Sequence, residues 1–201
     1  MAKLFVLLQR SGPGFIVTDD AKQMLLSVPN AVMVIFTSPI RSGKSTCINY
    51  LVTGDTTSYY IDHPMKVKGG IQSVTKDFNT YGPVPLSTLN TNFGIANIPG
   101  ISANANIFFV DSEGTGDLRQ PKQDVIMGIM SLLPVACVCV YISSGQIQEY
   151  TMPEIASTFK LSNLLSSLSN GLNMTSGFAI MSRNVGYQTM PDRVQLKDYE
   201  A

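Results

Sequence analysis

The chain is 201 residues long and carries 14 basic against 14 acidic residues, so charged side chains make up 14% of it, against about 25% in an ordinary soluble domain. Zero net charge excludes a partner of the nucleic-acid polymer class bound by neutralising many phosphates, and 44% hydrophobic residues exclude a disordered chain. Three cysteines make no disulfide framework, and their odd number points to reduced thiols in a cytoplasmic compartment.

Taken in chain order, MAKLFVLLQR has an apolar run too short for a signal-peptide core. Lys3–Gln9 and Gly14–Val17 read as short strands around the turn Ser11-Gly12-Pro13-Gly14. Thr18 or Asp19 can cap a helix running to about Val28, with Ala21, Leu25 and Val28 on one face and Pro29 ending it. Ala31–Phe36 is an unbroken apolar run of strand length, and a second helix is expected from Lys44 to Val52, closed by Gly54. From Asp55 to about Asn106 the chain reads as loop-rich, with room for one or two short strands. Within it, Phe78–Val110 is the longest of four stretches that carry no charge; the others are Gln23–Ile40, Val125–Gln148 and Leu161–Ser182.

Ile107–Val110 is the next apolar strand. Val125–Ile142 approaches membrane-spanning length, but Pro134 lies near its centre, with Gly128 and Ser131 before it. The residues ahead of Pro134 suit a helix, and VACVCVYI behind it suits a buried strand, so no transmembrane span is expected. Leu161, Leu164, Leu165, Leu168 and Leu172 recur at helical spacing, and Phe178–Met181 reads as a last strand. Short buried strands separated by helices imply an α/β, three-layer fold with a mostly parallel central sheet, in a single domain without repeats.

Two motifs carry chemistry. Ser38-Pro39-Ile40-Arg41-Ser42-Gly43-Lys44-Ser45-Thr46 lies between a strand and a helix, the setting of a phosphate-binding loop. Backbone N–H groups at such a helix start cradle an anion, Lys44 reaches the outer phosphates, and the Ser45 hydroxyl can ligate Mg²⁺. Phe108-Phe109-Val110-Asp111-Ser112-Glu113-Gly114 is an apolar strand ending in Asp, followed three residues later by Gly. That pattern suits an acidic group holding the Mg²⁺ water shell and a backbone that senses a γ-phosphate. His63, in Asp-His-Pro, has no partners at metal-ligand spacing and reads as a loop residue. Cys137 and Cys139, two apart in a strand, read as small hydrophobes buried on one face.

PIRSGKST, Ile71-Gln72-Ser73-Val74-Thr75-Lys76 and Asp111–Asp117 together resemble the GTPase domain of the guanylate-binding protein and atlastin group of dynamin-like large GTPases. The resemblance implies a P-loop NTPase fold that binds GTP and GDP and hydrolyses GTP to GDP with Mg²⁺. It implies roles at single positions as well. Arg41 matches an arginine finger in cis, Ser73 a switch residue associated with the attacking water, and Glu113 a position in the water network. Ser45 and Thr75 match the two hydroxyl ligands of Mg²⁺, with Asp111 opening the switch II motif Asp111–Gly114. Ser42, Gly43, Lys44, Ser45, Thr46 and Gly114 match phosphate-binding positions, and Arg183-Asn184 falls where the family reads guanine. A homodimer through the nucleotide face, and membrane association through partners, are implied by resemblance only.

The chain also departs from the family. Ser38-Pro39 replaces the first glycine of the loop. Asn184 replaces Asp, so an acceptor for guanine becomes a donor and base specificity stays open between GTP, XTP and ATP. The stretch from Thr75 to Asp111 is longer than usual and reads as an insertion. Seventeen residues follow Asn184, so the family's closing C-terminal elements are expected to be missing. A nucleotide-binding pseudo-GTPase or scaffold that barely hydrolyses, and a P-loop ATPase or kinase, stand beside the GTPase reading.

Overall fold

The structure, a computed structural model, describes residues 1–12, 14–38, 42–55, 64–65, 77–94, 100–112, 122–143, 156 and 177–182. Strands β1 (Lys3–Ser11) and β2 (Gly14–Val17) form an antiparallel hairpin, with Gly12 at a φ of 57° in the turn. Helix α1 (Asp19–Ser27) starts where Thr18 caps it: its hydroxyl accepts from the Ala21 N–H at 3.2 Å and donates to the Val6 carbonyl. Asp19 and Asp20 add negative charge at the positive end of the helix dipole. The cap therefore fixes both the helix start and its attachment to β1.

Next come β3 (Ala31–Thr37), α2 (Lys44–Thr53), β4 (Phe78–Pro85), α3 (Leu86–Phe93), β5 (Asn106–Asp111), α4 (Lys122–Leu132), β6 (Ala136–Ser143) and β7 (Gly177–Ser182). The seven strands make one sheet in the order β2-β1-β4-β5-β3-β6-β7. β5, β3, β6 and β7 are mutually parallel, and β4 is antiparallel to both β5 and β1. β1 therefore runs with the parallel block, and the sheet is mostly parallel.

Side-chain alternation sends each central strand to two cores. On one face Met33, Ile35, Phe78, Phe108 and Val110 pack with Ala21 of α1 and with Ile129 and Leu132 of α4. On the other, Phe36, Ile107, Phe109 and Ile142 pack with Ile48 of α2 and with Leu86 and Leu89 of α3. A strand covered on both faces reads as a continuous apolar run, as Ile107–Val110 does, and each such side chain contributes about 1.5–3 kcal/mol on burial. α4 comes so close to the sheet that a Cβ on Gly128 would lie 2.3 Å from the Phe78 ring.

Two expectations need correction. Phe78–Val110 is not the mainly loop stretch expected: it opens with β4, lodged between β1 and β5, followed by α3. Gly82 and Pro83 disguise the strand. The pairing with β5 shifts between Tyr81 and Val84, where a proline is tolerated, and a Cβ on Gly82 would lie 2.7 Å from the Phe108 ring. Cys137 and Cys139, in turn, are not buried together. The register of β6 on β3 slips between Met33 and Val34, so Cys137 has no partner residue on β3 and is exposed. Cys139 is buried, and burial pushes its thiol up to about 12, which makes it an inert core residue.

The 18-residue run around Pro134 divides into α4 and β6 as expected, and among the described residues no helix is long and apolar enough to cross a membrane. His63 and the helix expected over 161–172 lie outside the described residues.

Candidate functional site

β3 has β5 on one side and β6 on the other, while the helices that follow β3 and β5 cover opposite faces. In an open parallel sheet this is the switch point, and ligands bind outside the carboxyl ends of the strands there. The chain places buried polar residues at those ends: Thr37 and Ser38 at the end of β3, Asp111 and Ser112 at the end of β5, and Ser143 at the end of β6. Ser112 N–H donates to the Phe36 carbonyl at 3.1 Å, which keeps the ends of β5 and β3 in step.

Gly43 stands at a φ of 92°, a conformation L side chains rarely adopt, and it turns the chain into α2. No side chain caps this helix start, so its first-turn amides face the crevice end as potential anion donors. Lys44 is buried and its Nζ donates to Ser38 Oγ at 3.1 Å. Ser45 Oγ donates to Asp111 Oδ2, joining α2 to β5 across the crevice.

The other Asp111 oxygen, Oδ1, is buried and lacks a hydrogen-bond partner. Burial raises the Asp111 pKa, against the opposing pull of the Lys44 charge and the Ser45 hydrogen bond. Here a buried carboxylate with an unpaired oxygen stands beside a hydroxyl. These are hard oxygen donors, and Mg²⁺ takes one or two such protein groups together with phosphate and water. The donor set fits that ion.

Of the sequence-predicted residues, the fold brings Ser42, Gly43, Lys44, Ser45 and Asp111 to one end of the sheet; Thr46 is half-buried in the first turn of α2. Arg41, Ser73, Thr75, Glu113, Gly114, Arg183 and Asn184 lie outside the described residues. Asn79, four positions after Thr75, pairs with Asp111, Ser112 precedes Glu113, and Ser182, before Arg183, pairs with Ser143.

Sequence reasoning passed over Asn49. It is buried on α2, where its Nδ2 donates to the Met65 carbonyl at 2.9 Å and its Oδ1 accepts from the Met65 N–H at 2.8 Å. This bidentate clasp ties the helix bearing Lys44 and Ser45 to Met65. The available signal was an amide within the otherwise apolar helical run Cys47–Val52.

Topology and loop together define a three-layer α/β fold of the P-loop NTPase type. No protein-family model matches the chain, and no curated protein matches it in sequence. Among solved structures it is similar to a single-substitution variant of Era from Aquifex aeolicus bound to GDP·AlF4−, at 13% identity and a TM-score of 0.37. That match covers 83% of this chain, which spans 59% of the other's length.

Proposed function

We propose that this chain is a Mg²⁺-dependent GTPase domain spanning residues 1–201, of the kind found in guanylate-binding proteins and atlastins, which binds GTP and hydrolyses it to GDP. One observation carries the reading: Lys44, Ser45 and Asp111 converge where β3 and β5 end, with Ser45 Oγ on Asp111 Oδ2 and Asp111 Oδ1 unpaired.

Phosphoryl transfer asks a protein for positioning and charge neutralisation more than for covalent chemistry. The amides of the α2 start and the Lys44 ammonium hold the phosphates; Ser42, Gly43, Thr46 and Gly114 line them. Ser45, Thr75 and Asp111 would hold Mg²⁺, which when bound neutralises charge on the β- and γ-phosphate oxygens. Arg41 supplies positive charge to the transferred group, Ser73 and Glu113 orient the attacking water, and Arg183-Asn184 meets the base. The protein acts in the cytoplasm and pairs with a second copy through the nucleotide face.

The test has two arms. Calorimetric titration with the Mg²⁺ complexes of GTP, XTP and ATP reads base preference; equal heat for all three would remove Asn184 from base reading and favour a P-loop NTPase of relaxed specificity. Phosphate release from GTP, compared with Arg41→Ala, reads catalysis. The substitution is expected to lower turnover by about 10³-fold while binding stays near wild type, as an arginine finger requires. Binding without turnover in the unaltered chain would instead make it a nucleotide-binding scaffold.

A further inference from the structure

Position 38 is where a phosphate-binding loop has glycine, and here it carries a hydroxyl at the centre of a buried polar cluster. Ser38 is 0% exposed, Ser42 1% and Lys44 7%. Ser38 Oγ accepts from Lys44 Nζ at 3.1 Å and is also hydrogen-bonded to Ser42 Oγ. The hydroxyl thus stands between the ammonium that has to meet the outer phosphates and the loop residue just ahead of Gly43.

An ammonium is a donor without lone pairs, and burying it demands acceptor oxygens. A serine hydroxyl supplies an oxygen with two lone pairs, the same kind of contact that a phosphate oxygen would make. Glycine has no such group. We infer that Ser38 is an affinity-determining residue of the phosphate site: its hydroxyl holds Lys44 in place of a phosphate oxygen, and a polyphosphate ligand must displace that contact to bind. This rests on the phosphate-site reading above and adds a competitor built into the chain. The ligand class is the polyphosphate of a nucleoside di- or triphosphate, independent of its base. A merely structural serine predicts something else: its loss lowers stability and leaves affinity unchanged or weaker.

The experiment is calorimetric titration of the full chain with Mg²⁺-tripolyphosphate, which has no base, and with Mg²⁺-GDP. Wild type is compared with Ser38→Ala, which deletes Oγ and keeps Cβ, and with Ser38→Gly, which restores the usual loop residue. Both ligands are expected to bind both variants about tenfold more tightly than wild type, the scale of one charge-assisted hydrogen bond to a hydroxyl. In a Lys44→Ala background the gain in affinity from the same deletion is expected to vanish, because the contact between Ser38 and Lys44 is already gone and only the one between Ser38 and Ser42 is left to lose. Circular dichroism checks that each variant folds, and if Ser38→Ala does not, Ser38→Gly decides. Wild-type binding with unchanged or weaker affinity in the folded variant overturns the inference and leaves the phosphate site standing. Absence of binding by wild type and variants alike overturns both.

Discussion

The middle of the sheet and its carboxyl end each bury a polar atom without a partner, and the two atoms mean different things. In the middle, Thr80 Oγ1 of β4 is such an atom, and its residue pairs with Phe5 and Val110 of the apolar cluster. At the end, Asp111 Oδ1 is equally unpaired, but Lys44, Ser45 and Ser112 surround that strand terminus. The first is a cost the core absorbs, on the order of 1–3 kcal/mol for an unsatisfied group. The second sits where a bound ion could satisfy it. The company an unpaired atom keeps, rather than its lack of a partner, separates a packing defect from a site.

Substitutions at the two places should break or sharpen that contrast. The largest effect belongs to the end of the sheet: Lys44→Ala is expected to weaken Mg²⁺-nucleotide binding by about a hundredfold or more, read by calorimetry, because a charge-assisted phosphate contact is lost. Where α4 packs on the sheet, Gly128→Ala should destabilise the fold by about 1–3 kcal/mol in urea denaturation, since its methyl would strike the Phe78 ring. Nucleotide affinity of the folded fraction should stay unchanged.

Asp111→Asn divides binding from stability. It should weaken Mg²⁺-nucleotide binding by about tenfold, through loss of the carboxylate charge. For stability, the Asp111 pKa is raised by burial, so the ligand-free chain is favoured while this group is protonated and loses that stability as pH rises through the raised pKa. The asparagine variant lacks that loss. Its melting temperature, measured without metal or nucleotide, should exceed that of wild type increasingly towards neutral pH. The smallest effect is that of Thr80→Val, which removes the unpaired hydroxyl at similar shape. A gain of up to about 1 kcal/mol in urea denaturation is expected, and a loss would show that the hydroxyl has a partner after all.

Much of this contrast was legible in the amino-acid order. Lys44, Ser45 and Asp111 announce themselves by spacing, because a helix start after a buried strand and an acidic strand end are local patterns. The apolar strands Ala31–Phe36 and Ile107–Val110 are equally plain, since burial on both faces leaves no polar residue to interrupt them. β4 and α3 were hidden because tertiary contacts outweigh local preference there. Gly82 and Pro83 argue against a strand, yet Gly82 is what allows close approach to Phe108. LSTLNTNF has weak helical propensity and no side-chain cap, and it is held by burial of Leu86 and Leu89. The slip that exposes Cys137 depends on pairing with β3, and no window of sequence contains it. Asn49 was missed for a similar reason: its partner is a backbone amide and carbonyl 16 residues away.

The contact between Ser45 and Asp111 joins residues 66 positions apart. The β1–β2 hairpin closes locally, whereas β3 must wait for two strands made much later in the chain. Closing such long loops costs entropy before any contact repays it, so the central pairings belong to the slow part of folding. A chain with only its hairpin and first helix formed has no phosphate site at all. Under the proposed function, nucleotide would recognise the finished sheet alone, and its binding free energy would add to the stability of that form and of no earlier one. Resistance to proteolysis in the presence of nucleotide thus becomes a gauge of how many molecules have completed the fold.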